Sequence, residues 1–233
     1  MLANFIQKHD KKDMLQLLLY NACYNNNTKL LDKILKLSNI DVNILEDSGC
    51  TLLHDACMLS HIEVVKLLLL QPNIDINKKS TFVKFNESNL EKYDRTALFS
   101  ACSLGNEKIV KLLLLQPNID VNMQTKSCIS PLYIACDKKK IKIVRLLLTH
   151  PNIDVNISNF WKGITPLQVA CSKKNKKIIT MLLNHPNIDI NKKSLVGTNA
   201  LYYIDTGYNN KSHKSKFIEI INYIKLHSNN DII

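Results

Sequence analysis

One phrase recurs along the chain: a run of leucines, a polar residue, a proline and an Asn-Ile-Asp-Val/Ile-Asn tail. It is LLLLQPNIDIN up to Asn77 and LLLLQPNIDVN up to Asn122. Two further copies end at Asn156 and Asn191, and a degraded copy ends at Asn43. Self-similarity at a fixed period indicates a repeat architecture, in which each copy is one supersecondary unit. The recurrence therefore constrains the fold before any single residue is interpreted.

Five Ala-Cys pairs set the length of the repeat. The alanines are 34, 45, 34 and 35 residues apart and are Ala22, Ala56, Ala101, Ala135 and Ala170. A sixth, degenerate copy places Leu201 where Leu167 stands and Ile204 where Ala170 stands. The unit is about 34 residues long, and the second interval carries an insertion of about 11 residues.

The predicted organisation is a single domain over residues 1–233 with six units and degenerate end caps. The units run at about 14–46, 47–80, 93–126, 127–160, 161–195 and 196–227, with the insertion at about 78–93. One helix pair cannot bury its own apolar face, whereas stacked pairs cover one another. The predicted fold class is an all-α repeat solenoid of stacked helix pairs.

Each unit carries signals for two helices. Hydroxyl residues precede the first apolar run and are expected N-caps: Thr51, Thr96, Ser130 and Thr165. The first helix should end at a residue that tolerates a left-handed backbone, such as Asn26, Ser60 or Gly105. A second helix, such as Asn106–Leu115, should stop at Pro117, with Asn118 in a left-handed turn.

Two whole units resemble ankyrin repeats: SPLYIACDKKKIKIVRLLLTHPNIDVN (Ser130–Asn156) and TPLQVACSKKNKKIITMLLNHPNIDIN (Thr165–Asn191). The family pattern is a T-P-L-H-x-A start, a G-H-x-x-I-V-x-L-L-L second helix and a G-A-D-V-N close. Here the close is one residue longer, and Lys139 and Lys174 replace the glycine between the helices. The resemblance covers roughly residues 14–227 and implies antiparallel helix pairs with β-hairpin fingers between successive units.

The resemblance also implies a protein-interaction module that is not an enzyme, with its binding surface on the finger tips and the exposed ends of the first helices. The expected partner-binding residues are Phe160, Trp161, Lys162, Lys126, Met58, Leu59, Leu104, Lys138 and Lys173. Adjacent Phe160 and Trp161 on one finger are a candidate binding hot spot, since aromatic residues dominate interface energetics. The other interpretation is that one ring packs on the neighbouring finger. The partner itself is not identified by the sequence.

Two lysine runs support an alternative, the binding of nucleic acid or an anionic lipid surface. They lie one repeat apart and would stack as one ridge, formed by Lys138, Lys139, Lys140, Lys142, Lys173, Lys174, Lys176 and Lys177. The formal net charge of +11 agrees with an anionic partner. Against it, no aromatic residues are interleaved for base stacking, and a solvated face is the favoured interpretation of the runs.

No catalytic residue, metal or cofactor is expected. Seven cysteines and seven histidines are present, but most recur once per unit, as packing residues do, and no CxxC or HExxH spacing occurs. The Ala-Cys thiols should be buried, with Cys50 and Cys128, near the fingers, the first to react. Absence of a signal peptide or a membrane-spanning run predicts a cytoplasmic, intracellular protein, expected to be a monomer. In the insertion, Phe82, Val83 and Phe85 alternate like a strand.

Overall fold

The computed structural model describes residues 11–37, 40–46, 48–81, 83–86, 89–92, 94–205 and 217–227. The chain divides into two compact units, Met1–Ile119 and Asp120–Ile233. Within each unit, short helices alternate with turns, as the repeat pattern predicts. The prediction of a single domain over residues 1–233 stays a prediction.

The described residues of the first unit form three helix pairs. They are α1 (Lys11–Tyr24) with α2 (Thr28–Leu35), α3 (Leu52–Met58) with α4 (Ile62–Leu69), and α5 (Ala97–Leu104) with α6 (Glu107–Leu114). The first helix of each pair packs against the first helices of its neighbours, and the second against the second. This stacking buries faces that a lone pair would leave in water.

The insertion of the first unit carries a short antiparallel ladder. Strands β1 (Val83–Asn86) and β2 (Asn89–Lys92) pair with Val83 opposite Lys92. The strand predicted for the start of the insertion is thus confirmed, while Phe82 lies outside the described residues. The base is closed by the Ser80 N–H donating to Arg95 O at 2.8 Å and by an ion pair between Lys79 and Asp94 at 3.4 Å.

The described residues of the second unit form three more pairs. They are α7 (Pro131–Asp137) with α8 (Ile141–Leu148), α9 (Pro166–Ser172) with α10 (Lys176–Leu183), and α11 (Ala200–Asp205) with α12 (Ile218–His227). The same packing rule holds, since α9 lies between α7 and α11 while α10 contacts α8. Residues 206–216, which separate the last two helices in sequence, lie outside the described residues.

The predicted helix boundaries are confirmed at both ends of the first helices. All four hydroxyl N-caps accept the backbone N–H three residues on, at 3.1–3.4 Å. The first helices end in left-handed residues, namely Asn26, Ser60, Gly105, Lys139 and Lys174. The prediction for Asn118 is wrong, because it is not among the residues with positive φ. Its turn is closed instead by the Ile119 N–H donating to Gln116 O at 3.2 Å.

The core of each unit is built from the recurring apolar positions. The leucine three residues before each Ala-Cys pair is 2% exposed or less at Leu53, Leu98, Leu132 and Leu167. The Ala-Cys pairs are buried as well, and small side chains at these positions let neighbouring first helices approach closely. The predicted core is confirmed.

The tail of the recurring phrase bonds each repeat to the next repeat in the stack. We call the two bonds made by its last asparagine the asparagine clamp. In the first unit, Asn43 Nδ2 donates to Asn73 O and Asn43 Oδ1 accepts from the Asp75 N–H, both at 2.7 Å. In the second unit, the same two bonds join Asn122 to Asn152 and Asp154, and Asn156 to Asn187 and Asp189. Each aspartate of the phrase accepts from the N–H of the asparagine two residues on, at 2.8–3.1 Å. The phrase recurs because the asparagine of one repeat bonds to the Pro-Asn-Ile-Asp turn of the following repeat.

The fingers are tight turns closed by paired backbone bonds. In the shorter form, the first residue bonds to the fifth, as between Thr125 N and Ile129 O at 3.1 Å or Ser194 N and Thr198 O at 2.8 Å. The residue before the end of each turn has positive φ, and this residue is Gly49, Cys128, Gly163 or Gly197. A positive φ is easy for glycine and strained for other residues, so three of the four turns use glycine.

Candidate partner-binding surface

The finger at Asn159–Ile164 is ordered by its own first residue. Asn159 bonds through its backbone N–H to Ile164 O at 3.0 Å, and its Oδ1 accepts from the Ile164 N–H at 2.9 Å. Asn159 Nδ2 donates to Tyr133 Oη on α7 at 3.2 Å, which ties the turn to a first helix. Three bonds from Asn159 therefore stabilise this finger.

This finger is one residue longer than its sister fingers. Its closing bond joins the first residue to the sixth rather than to the fifth. The extra residue accounts for the 35-residue interval between Ala135 and Ala170. It lies at the tip, where the chain places Phe160 and Trp161.

Both aromatic side chains of the finger are exposed. Phe160 is 63% exposed and Trp161 is 73% exposed, and their rings meet edge to face with centroids 5.6 Å apart and an interplanar angle of 81°. This exposure contradicts the interpretation that Trp161 packs between fingers. The rings support each other, as aromatic pairs in this arrangement do, and leave their outer surfaces in water.

Neighbouring fingers of the second unit are joined through their backbones. The Phe160 N–H donates to Ser127 O at 3.1 Å, and the Leu195 N–H donates to Lys162 O at 2.9 Å. Leu195 lies so close to Gly163 that a Cβ on this glycine would stand 2.9 Å from the Leu195 nitrogen. Successive fingers of the second unit are thus bonded to one another near their tips.

The next finger adds two more exposed apolar side chains to the same edge. Leu195 is 72% exposed and Val196 is 75% exposed. Scattered surface leucines are ordinary, but four large exposed apolar side chains on two bonded fingers are a candidate interaction site. We call Phe160, Trp161, Leu195 and Val196 the tip patch.

Comparison with known families identifies the repeat. A family model described as ankyrin repeats (3 copies) matches residues 2–80 and 115–194, and one described as ankyrin repeats (many copies) matches residues 53–114. The chain belongs to the ankyrin-repeat family. The predicted family and fold class are confirmed.

Similar proteins agree on the ankyrin fold. The crystal structure of the ankyrin repeat domain of Bcl-3, a unique member of the IkappaB protein family, aligns over 80% of this chain and 78% of that chain, with a TM-score of 0.69. Sequence identity in that alignment is 20%, so the likeness shows the fold alone.

The curated relatives share a shorter stretch. Acyl-CoA-binding domain-containing protein 6 of Bos taurus is 41% identical over 51 residues, and that of Homo sapiens is 39% identical over 51 residues. Each match covers 22% of this chain and 18% of the relative.

The other predicted contact residues lie on the surface of the ankyrin repeats. In the first unit, Met58, Leu59 and Leu104 at the ends of α3 and α5 are all exposed. In the second unit, Lys126 and Lys162 are exposed on the fingers. Their role in partner binding stays a prediction.

The lysines at the end of α7 and just beyond α9 share one carboxylate. Lys173 Nζ lies 2.9 Å from Asp137, and Lys138 Nζ lies 3.9 Å from the same side chain. Lys176 pairs with Glu219 of α12 at 3.0 Å. The predicted ridge is therefore partly neutralised, since three of its lysines face acidic side chains.

The remaining ridge lysines occupy surface turns and helix starts. Lys139 and Lys174 are the left-handed residues that end the first-helix turns, each with φ of 55°. The others lie at or next to the N-termini of α8 and α10, and are Lys140, Lys142 and Lys177. A cation at a helix N-terminus opposes the helix dipole, so these lysines add nothing to helix stability there.

The cysteines are placed for packing rather than for chemistry. Burial raises the pKa of Cys23 to about 12 and that of Cys50 to about 11, and burial also raises the pKa of Cys102 and Cys136. Thiolate is the reactive form, so these groups are poor nucleophiles. Cys50 was expected to react early because it lies near a finger. It is buried, so that expectation is wrong, whereas Cys128 is half-buried.

Neither metal clusters nor membrane spans occur in the described part of the ankyrin repeats. Among residues 11–37, 40–46, 48–81, 83–86, 89–92, 94–205 and 217–227, no group of three or more His, Cys, Asp or Glu side chains could hold a metal ion. Within those ranges no helix is long and apolar enough to cross a membrane. The cytoplasmic location stays a prediction.

Val196 is the contact candidate that sequence reasoning missed. It is 75% exposed and lies next to Leu195, and it is not among the contact residues predicted from the sequence. A signal for it exists, because Leu195 and Val196 precede Gly197 much as Phe160 and Trp161 precede Gly163. Two bulky apolar residues just before a left-handed glycine are held out at a turn tip.

Proposed function

We propose that this ankyrin-repeat chain is an adaptor that binds a protein partner through its finger tips and the exposed ends of its first helices. Ankyrin repeats are protein-interaction modules, and the tip patch supplies a place for contact. The carrying observation is the exposed Phe160–Trp161 pair on a finger held by Asn159 and joined to both neighbours. A rigid turn limits the entropy lost when the rings are covered by a partner.

The exposed ends of the first helices differ in chemistry between the two units. In the first unit the exposed side chains there are apolar, as at Leu59 and Leu104, whereas in the second unit the corresponding sites carry Lys138 and Lys173. Because these lysines already face Asp137, anion binding through the ridge is the weaker proposal.

The test compares alanine substitutions of two exposed apolar residues, Trp161 in the tip patch and Leu115 in the first unit. Trp161→Ala should leave the free energy of unfolding within about 0.5 kcal/mol of wild type, because surface substitutions rarely cost more. The same change should weaken partner binding by about 2 kcal/mol or more, as loss of a hot-spot aromatic does.

Partners captured from a native lysate would be quantified by mass spectrometry for wild type, Trp161→Ala and Leu115→Ala. Leu115, an exposed leucine at the end of α6, is the control that should change nothing. Equal capture by all three chains would contradict the proposed surface, and a large loss of stability in Trp161→Ala would show that the tryptophan is structural.

A further inference from the structure

The charged residues of the fingers that carry the tip patch are of one sign. Three stretches of the second unit, residues 121–136, 155–172 and 190–204, hold the fingers and the first helices that follow them and contain no aspartate or glutamate, although each begins directly after an aspartate, at Asp120, Asp154 or Asp189. They contain four lysines, namely Lys126, Lys162, Lys192 and Lys193. Lys126, Lys162 and Lys193 are exposed and Lys192 is half-buried. All the charged residues of these stretches are thus lysines, two of which, Lys162 and Lys193, are within two residues of a member of the tip patch.

This excess of lysine is not general to the fingers. The finger of the first unit at residues 43–51 carries Glu46 and Asp47 and no lysine. Potentials of opposite sign across an interface steer encounter and exclude wrong partners. The fingers of the second unit are therefore complementary to an acidic surface.

We infer that these three fingers bind a short acidic segment of a partner protein, in which one or two bulky apolar residues lie between aspartates or glutamates. The inference rests on the proposed function and adds the chemistry of the partner. The apolar residues of the segment would cover Trp161, Phe160 and Leu195, while its carboxylates would meet Lys162 and Lys193. An apolar centre with a charged rim is the usual arrangement of a protein interface.

A polyanion such as nucleic acid fits the patch less well. Single-stranded nucleic acid needs flat faces on which successive bases stack. Here the two rings meet at 81°, and the rest of the patch is branched aliphatic, as Leu195 and Val196 are. The chemistry of the patch favours a peptide with apolar side chains.

The experiment is selection from a phage library of random short peptides on the full chain. Peptides that combine acidic residues with leucine or an aromatic residue should be enriched. A representative synthetic peptide should bind Trp161→Ala about 30-fold more weakly and Lys162→Glu about tenfold more weakly than wild type. Leu115→Ala and Lys108→Glu, at exposed sites of the first unit, should bind it as wild type does.

Each other outcome has a defined meaning. Enriched peptides that depend on Trp161 but carry no acidic excess would overturn the inference and leave the proposed function standing. Peptides indifferent to Trp161→Ala would contradict both. Failure to enrich any peptide would overturn the claim that a short segment suffices. Tighter Trp161-dependent binding of oligo-deoxythymidine, or of phosphatidylserine vesicles, would assign the patch to those ligands instead.

Discussion

In one repeat of each unit, the side chain at the third position of the first helix bonds both to the N-cap residue and to the following finger. In the first unit His54 Nδ1 lies 2.8 Å from Thr51 Oγ1, and His54 Nε2 contacts Arg95 O at the base of the insertion. In the second unit Gln168 does the same work, accepting from the Thr165 N–H at 2.9 Å and donating to Lys192 O at 2.7 Å. Histidine and glutamine can make the same two bonds here, but only histidine can gain a proton near neutral pH.

His54 should make the stability of the first unit depend on pH. Burial lowers the pKa of His54, with the bond to Arg95 O acting in the opposite direction. Below the ordinary histidine pKa of about 6.5, the unfolded chain therefore binds the proton more readily than the folded chain. The contribution of His54 is complete above that pH and is lost as pH falls toward the lowered value.

The test is His54→Gln, which keeps both bonds and removes the titration. The variant should be within about 1 kcal/mol of wild type above pH of about 7.5 and should lose less stability on acidification. Neighbouring Asp55 has its pKa raised by burial and acts in the opposite sense, but it is present in both chains. The free energy of unfolding of both chains would be measured by urea unfolding, followed by circular dichroism, at several pH values from about 7.5 downward. The same dependence on pH in both chains would contradict the role of His54.

Single residues also show where sequence reasoning reaches its limit. The N-caps and left-handed helix ends were predictable because each depends on a few adjacent residues, as at Thr96 or Gly105. Burial of Cys50 was not, because it depends on how the finger folds back onto α3. The pairing of Lys173 with Asp137 likewise depends on two repeats being stacked, which no local pattern shows.

At the scale of elements, the asparagine clamp is expected to be a measurable part of stacking. Asn156→Ala removes two bonds, from Asn156 Nδ2 to Asn187 O at 2.7 Å and from the Asp189 N–H to Asn156 Oδ1 at 2.9 Å. At about 1 kcal/mol per exposed bond, the free energy of unfolding should fall by about 1–2 kcal/mol. Asn191→Ala is the matched control, since the sequence has no further Pro-Asn-Ile-Asp turn after it. Equal losses in both variants would mean that the clamp does not join units.

Two finger glycines separate backbone strain from steric contact. Gly163 and Gly197 have φ of +64° and +78°, so alanine is strained at either. Nothing lies within 4 Å of a Cβ at Gly197, whereas one at Gly163 would meet the Leu195 nitrogen at 2.9 Å. Gly197→Ala should cost about 1 kcal/mol, and Gly163→Ala about 1 kcal/mol more because a neighbouring backbone must move. Thermal melts of both variants check this order, and equal costs would show that the two fingers are not in contact.

The element scale also explains what the repeat length could and could not predict. The 35-residue interval revealed one extra residue, but only the closing bond between Asn159 and Ile164 shows that it lengthens a finger. The same residue could have been taken up in a helix-to-helix turn. Exposure of Phe160 and Trp161 follows from that placement, so the candidate site needed the structure while the helix pairs did not.

At the scale of the whole molecule, a repeat protein has no closed core and depends on its outermost elements. In the second unit α12 covers α11, and Lys176 on α10 bonds to Glu219 on α12 at 3.0 Å. The ion pair is exposed and contributes little in water. The cover must therefore come from apolar packing along one face of α12.

Two residues of α12, two positions apart, test that cover. Ile224 is 1% exposed and Leu226 is 81% exposed, on the same helix with side chains of equal size. Ile224→Ala should lower the free energy of unfolding by about 2–4 kcal/mol through the lost burial and the cavity left behind. Leu226→Ala should stay within about 0.5 kcal/mol of wild type. Denaturant unfolding followed by circular dichroism measures both changes. A fluorescent dye that binds exposed apolar surface should bind more strongly to Ile224→Ala if α12 no longer covers α11. An unchanged midpoint for Ile224→Ala would mean that α12 does not act as the cap of the second unit.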